Sequence, residues 1–398
     1  MVLFCCPICF CFAQKIPVGV SFHDEIMRAS RRGDNWCTTW AADGNQYTSM
    51  CDGFGWTDSR THEIHTEVLK ISGEFENVYG HVLSGYPVDF NYLDETNRYM
   101  PFFFGFGIVS VDGVIYQFLS RQNATNFMPP FQGISIIYTP DLGVTWYNHN
   151  EQNVSNQRLD DSPEAQFFWQ EQASDIDGKT GYTFSWISVC QMGKDNSAGE
   201  QDGYIYLYSP NGAKVNELNM ARVPKSSIVD KSKYQYFISR TDNGVASWSN
   251  NIADRGVVHS FPKLNSKRDP FGWYSWLPSV VWNEGLQLYI MVNGGTYSTK
   301  NFWDKGHDLH RKSGSLGFYY SKKPWGPWTE FYSIDHWQPA GDQNERTYQP
   351  KLSPKWISDD GTEMVIIWSD AAYSWGKTDG KPNYYKWNQM KFTIELNP

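Results

Sequence analysis

Two short stretches place carboxyl groups among glycines and aromatic rings: Gly33-Asp34-Asn35-Trp36 and Asp52-Gly53-Phe54-Gly55-Trp56. A pair of acids is the minimum equipment for breaking a glycosidic bond. One carboxyl protonates the leaving oxygen, and the other activates water or attacks the sugar carbon. One acid must therefore be kept protonated, by burial or by its neighbour's charge, while the other stays ionised. Arg121 can lower the pKa of whichever carboxylate it touches, or grip a sugar hydroxyl. Aromatic rings supply faces on which sugars stack. Taken singly, each of these residues reads as surface or packing, so their interest depends on whether the chain brings them together.

An internal repeat does so. A short apolar strand, an acid-Gly or Asn-Glu-Gly turn and a second aromatic-rich strand recur five times, with turn glycines at 44, 113, 203, 285 and 361. Asp-Gly between apolar or alternating runs is a strong hairpin signal, because the turn needs positive φ and a twist matching its strands. The intervals leave room for two further strands per hairpin, and these are visible as EVLKISG, ISIIYTPDLGVTWY, NMARVP with YQYFIS, SLGFYYSKKPWGPWTEFYS and QMKFTIEL. Thr139 to Trp146 also matches the Asp-box turn, in which the Asp caps a tight turn and the Trp packs between strands. Five four-stranded sheets repeated radially predict an all-β, five-bladed β-propeller folded as a single domain.

In each blade the turn glycine marks one end of the inner hairpin, so residues entering its first strand and leaving its second share the other end. Asp34 and Trp36 enter blade one and Asp52 leaves it. With a three-residue turn, Cys37 would face Cys51, as a disulfide or a buried thiol pair. Asp34, Trp36 and Asp52 would then point the same way, with the acids about 7–8 Å apart at the backbone. A two-residue turn shifts the register by one and spoils that parity. Arg121 leaves blade two eight residues beyond its turn glycine, as Asp52 does in blade one. Trp273, Tyr274 and Trp276 enter blade four; Glu345, Arg346 and Tyr348 enter blade five, and Asp370 leaves it. The expected catalytic pair is thus Asp34 and Asp52. The expected sugar-binding set is Trp36, Arg121, Trp273, Trp276, Glu345, Arg346 and Asp370.

Composition points the same way. The 398 residues are 17% aromatic, include 18 Trp, are only 19% charged and carry a net charge of −9. Such a chain is too apolar to be disordered, and without basic runs it is a poor binder of nucleic acid. Its aromatic, weakly charged surface suits uncharged, hydroxyl-rich ligands. Trp146, Trp248, Trp325, Trp328 and Trp368 belong to blade repeats and are expected to pack sheets; Trp36, Trp273 and Trp276 are expected to stack on sugar. Residues 1–14 read as a signal peptide or its remnant, too short to span a bilayer and ending near Ala13; the propeller occupies 15–398. Cys5, Cys6, Cys9 and Cys11 crowd that leader, and a thiol cluster is the alternative for them. A secreted or periplasmic monomer without a membrane span, cofactor or metal is expected, His307 and His310 being too few for a metal site.

The motifs resemble those of a known family. The stretch GDNWCTTWAADGNQYTSMCDGFGW is similar to the opening signature of a mostly bacterial propeller family, long of unknown function, that includes endo-D-arabinanases. The segments DGYIYLYSP, ARVPKSSI, YQYFISRTDNGVASWS and KKPWGPWTEFY follow in the family's order, over roughly residues 30 to 375. The resemblance implies hydrolysis of a polysaccharide such as arabinan, with the acids of the GDNW and DG motifs in catalysis; these fall on Asp34 and Asp52. Cys37, Cys51 and an Asn301–Ser313 insertion depart from the family pattern and bear on the substrate. A polysaccharide lyase, with His62, His65 or His81 as base and Arg121 or Arg346 neutralising a uronate, is the alternative. A non-catalytic sugar-binding propeller is the third.

Overall fold

The computed structural model describes residues 15–29, 32–57, 63–87, 103–122, 131–157, 159, 167–170, 184–211, 214–261, 277–295, 315–334, 337–341, 348–369 and 385–398. The first strand, β1 (Pro17–Ala29), is set apart from its neighbours in sequence. Blade one follows as β2 (Asp34–Trp40), β3 (Gln46–Cys51), β4 (Glu67–Ser72) and β5 (Tyr79–Val82). Blade two is β6 (Phe103–Val111), β7 (Val114–Gln122) and β8 (Phe131–Thr139), with the short β9 (Tyr147–Asn148) and β10 (Trp169–Gln170) both on β8. Blade three runs β11 (Ser188–Val189), β12 (Tyr204–Asn211), β13 (Lys214–Pro224), β14 (Gln235–Arg240) and β15 (Ala246–Ser249), with β16 (His259–Ser260) against β13. Blade four is β17 (Ser279–Asn283), β18 (Leu288–Gly295), β19 (Ser315–Ser321) and β20 (Thr329–Ile334). Blade five is β21 (Tyr348–Ile357), β22 (Glu363–Ser369) and β23 (Trp387–Leu396), and its outer strand is β1, antiparallel to β23. Five antiparallel sheets therefore form the five-bladed propeller, and the ring is closed by pairing one end of the chain with the other.

The hairpin turns explain both the repeat and its exceptions. In blade two, Val111 pairs with Val114 around Asp112 (φ 50°) and Gly113 (φ 82°). Both turn residues are left-handed, the geometry a two-residue turn requires and the reason an Asp-Gly pair stands there. Blade one instead has a five-residue loop between Trp40 and Gln46. Blade three departs most: between β11 and β12 the chain takes a long excursion, with a 3₁₀ turn at Lys194–Asn196, so Asp202-Gly203 ends a loop rather than centring a tight hairpin.

Because each sheet is apolar on both faces, neighbouring blades share cores. Trp146 lies with Tyr47 and Val68 between blades one and two. There Asp141 accepts from Thr139 Oγ1 (2.9 Å) and Thr145 N (2.8 Å), so the Asp-box turn has its expected structural role. Trp325 and Trp328 pack between blades three and four, with Trp248 against them, and Trp368 between four and five. A sixth cluster sits on the axis: Cys51, Phe104 with Phe106, Trp186, Leu277 and Tyr348 come from blades one to five in turn. It forms an apolar floor where the strand ends converge.

Candidate active site

Blade one's entering and leaving segments are stapled together before the acids are placed. Phe54 N and Gly55 N donate to Arg32 O at 2.8 and 3.0 Å. A side chain on Gly53 would lie 2.1 Å from that carbonyl oxygen, so only glycine allows the approach. Gly33 is tied to blade five: its N–H donates to Tyr385 O (3.2 Å), and its carbonyl accepts from Ser369 Oγ (3.0 Å). Asp34 then opens β2 opposite Cys51, and Asp52 follows β3 in a left-handed conformation (φ 46°). The two acids are thus held at one end of one hairpin, beside the axial floor.

Their environments differ. Asp34 is 2% exposed. Tyr385 Oη donates to its Oδ2 at 2.6 Å, and Asn35 Nδ2 to its Oδ1 at 3.1 Å. Burial, then the charge of Asp52, hold the Asp34 carboxyl well above the ordinary carboxylate range; the hydrogen bonds from Tyr385, Asn35 and Cys51 oppose this and do not outweigh it. The Asp52 side chain is 22% exposed, and its Oδ1 lies 2.7 Å from Nδ1 of the fully buried His65. The His65 ring rests on Phe104, centroids 5.1 Å apart.

Three more groups surround the pair. Tyr348 and Tyr385, ring centroids 6.2 Å apart, have phenols pushed well up, by burial first and then by Asp34. Lys351, 2% exposed on the inner strand of blade five, donates from Nζ to Leu277 O at 3.0 Å. Burial lowers its pKa, while Cys37 and Asp34 pull it back up. The arrangement can keep one carboxyl neutral next to a second, more accessible one, which is the asymmetry that acid–base cleavage needs.

Several expected roles change. Cys37 pairs with Ser49, not Cys51; Cys37 belongs to the core between blades one and two and Cys51 to the axial floor, and both thiols are free. The cause is the five-residue loop together with a bulge between Asp34 and Cys37, where Asn35 is left-handed (φ 52°). The same bulge turns Trp36 away from Asp34. Trp36 is fully buried, edge-on to Trp56 (5.3 Å) and Trp387 (5.6 Å) in the core between blades five and one, so neither face is open to a sugar.

Arg121 also moves inward: it is 1% exposed, with its guanidinium 4.7 Å from the Phe103 ring centroid. Counting from the turn glycine misled here because the loops differ in length. Asp52 is the seventh residue from Gln46 and Arg121 the eighth from Val114, so the two have opposite parity. Trp273, Trp276, Glu345, Arg346 and Asp370 lie outside the described residues, as do His62, His307 and His310. Of the histidines offered for a lyase, His65 is buried behind Asp52, and His81 is on the outer strand of blade one, 2.7 Å from Ser72 Oγ. The residues missed are Tyr385 and Lys351. A lysine inside an inner strand was a visible signal; Tyr385 precedes a third strand, where the repeat says nothing.

Among the described residues no three His, Cys, Asp or Glu side chains gather as a metal set, and no helix is long and apolar enough to cross a membrane. No protein-family model matches the chain, and no curated protein does. Solved structures do. A protein from Bacteroides ovatus described as a candidate hydrolase aligns over 90% of this chain and 85% of its own, at 14% identity and a TM-score of 0.50. An α-L-arabinofuranosidase from Podospora anserina, solved with cellotriose, covers 97% of each chain at 8% identity and a TM-score of 0.46. An arabinanase from Bacillus subtilis covers 91% of this chain and 95% of its own, at 12% identity and a TM-score of 0.43. At such identities the likeness concerns the fold alone.

Proposed function

We propose that this chain is a glycoside hydrolase that cleaves a polysaccharide, of endo-D-arabinanase type, with Asp34 as the protonated acid and Asp52 as its partner carboxylate. The observation that carries the reading is the contrast within the pair: Asp34 is 2% exposed, with its pKa pushed well up by burial and by the charge of Asp52, which is itself the more accessible of the two. Tyr385 orients the Asp34 carboxyl, and His65 holds Asp52 from behind. In the forward step Asp34 gives its proton to the leaving oxygen while Asp52 attacks the sugar carbon or directs water to it. The arabinanase and arabinofuranosidase folds noted above are compatible with this reading, and the GDNW and DG motifs support its arabinan form.

Reducing-end release from D-arabinan, L-arabinan, arabinogalactan and ulvan by wild type, Asp34→Asn and Asp52→Asn tests it. Each variant is expected to fold, to keep binding the polymer and to lose turnover by roughly 10²–10⁴-fold, as for a lost general acid or base. Wild-type turnover in both variants would sink the proposal. A wild type that binds sugar without releasing ends would make the chain a binding module.

A further inference from the structure

A second opening lies at the other end of the blades, where blade five meets blade one. It has a volume of about 440 Å³ and is lined by Glu74, Phe75 and Glu76 on one side and by Lys355, Trp356, Glu363 and Lys391 among others on the opposite side. That volume falls in the range of small-molecule sites, about 300–1,000 Å³. The length of β22, about 20 Å at 3.3 Å per residue, separates its Glu363 end from the end beside the acids.

The walls are fixed before any ligand arrives. Glu74 N donates to Asn77 Oδ1 (2.9 Å) in a capping box on a single 3₁₀ turn, and Gln389 Nε2 donates to Phe75 O (2.6 Å). Lys391 Nζ lies 3.2 Å from Glu363 Oε1 and 5.2 Å from the Phe75 ring centroid. Across the turn after β21, Asp360 accepts from Ser358 Oγ (2.6 Å) and Thr362 N (3.0 Å). Such a cavity loses little further freedom on binding.

Its chemistry selects the occupant. Trp356 is the half-buried ring of the lining; it packs on one side against the core between blades five and one. Three glutamates and two lysines line the cavity, which disfavours an anion such as a uronate, and among the described residues the acids do not gather as a cation site. Carboxylates that accept from neighbouring hydroxyls, ammonium groups that donate to ring and hydroxyl oxygens, and an indole for the apolar face together fit a neutral sugar. We propose that this cavity is a second sugar-binding site, holding a short segment of neutral polysaccharide away from the acid pair. It deepens, and rests on, the reading of the chain as a polysaccharide hydrolase. A polymer held there raises its effective concentration at the mouth.

Calorimetry and chemical-shift mapping with short arabino-, xylo- and cello-oligosaccharides, in wild type and in Trp356→Ala, Glu76→Gln and Glu363→Gln, test the site. One of these sugars should shift resonances around Trp356. Its affinity there should fall about tenfold or more in Trp356→Ala and less in the two glutamine variants, which keep the packing. Turnover of short soluble substrates should not change, while KM for the polymer rises. Binding confined to the mouth, or affinity unchanged in all three variants, overturns the site. If the cavity binds sugar and Trp356→Ala abolishes it, yet no glycan is hydrolysed, the hydrolase reading fails and the second site stands as a binding site.

Discussion

The two ends of the propeller use aspartates in opposite ways. At the turn end, aspartates are saturated with donors. Asp43 takes Lys70 Nζ (2.9 Å), Asn45 N (3.0 Å) and Tyr47 Oη (3.1 Å), and Asp195 takes Ser110 Oγ (2.6 Å) and Gly113 N (2.9 Å). Asp360 is held down to about 2 by its bonds from Ser358 and Thr362. At the mouth end, Asp34 has side-chain donors as well, in Tyr385, Asn35 and Cys51, yet burial and Asp52 push it the other way. Residue type and hydrogen-bond count do not separate the two ends; desolvation next to a like charge does. A turn aspartate stays charged and fastens the fold. The mouth aspartate has its pKa pushed up, so its charged form is held at a cost in stability that a purely structural acid has no reason to carry.

The comparison can be broken at several points. The largest effect belongs to the acid pair: Asp34→Asn and Asp52→Asn should each remove most turnover, measured as reducing-end release. The Asp34 change also tests the electrostatics. A carboxyl whose folded pKa is raised stabilises the native state fully below its unfolded value near 3.8, and that contribution is lost as pH rises through the folded value. Thermal melts from pH 4 to 8 should therefore show wild type losing ground to Asp34→Asn as pH rises. Parallel curves would mean that Asp34 is an ordinary ionised acid.

Next is Trp36→Ala, expected to cost about 3–5 kcal/mol in denaturant unfolding. Trp36→Phe should cost less and leave sugar affinity unchanged, since the ring is buried between Trp56 and Trp387. Loss of affinity in a stably folded Trp36→Phe would return that ring to the binding surface. Tyr385→Phe should cost about 0.5–1.5 kcal/mol for its hydrogen bond. It also removes a contact that lowers the pKa of Asp34, so the basic limb of the kcat/KM profile should move to higher pH; an unmoved limb would take Asp34 out of the acid role. The smallest effect is expected from Asp360→Asn: a slight drop in Tm at pH 7 with turnover intact. Its stabilisation is present above the unfolded carboxylate value and fades as pH falls through about 2.

The blade repeat was legible because an Asp-Gly turn is a local requirement: Asp112 and Gly113 must both be left-handed, and few other pairs tolerate that. The sheets followed, and with them the end of the hairpin where Asp34 and Asp52 meet. What failed was parity. A bulge at Asn35 reverses which way the next side chain points, and a five-residue loop in blade one against a two-residue turn in blade two puts the strands that follow in opposite parity; neither has a pattern of its own. Trp36, Arg121 and the facing of Cys37 with Cys51 were lost to them. Tyr385 and Lys351 are brought to the acids from blade five, more than three hundred residues along the chain, and a local reading of blade one has no means of seeing them.

The pairing of β1 with β23 also sets a timetable. Pro17 finds Leu396, and Ala29 finds Trp387, only when all five blades have been made. Until then the leading strand has an empty edge and four blades cannot close around their axis. The Tyr385 that serves Asp34 lies just before that last strand. Contacts so distant in sequence are slow to form, so the acid pair acquires its surroundings in the same late event that shuts the ring. During synthesis the chain would thus carry Asp34 and Asp52 long before Tyr385 could reach the first of them.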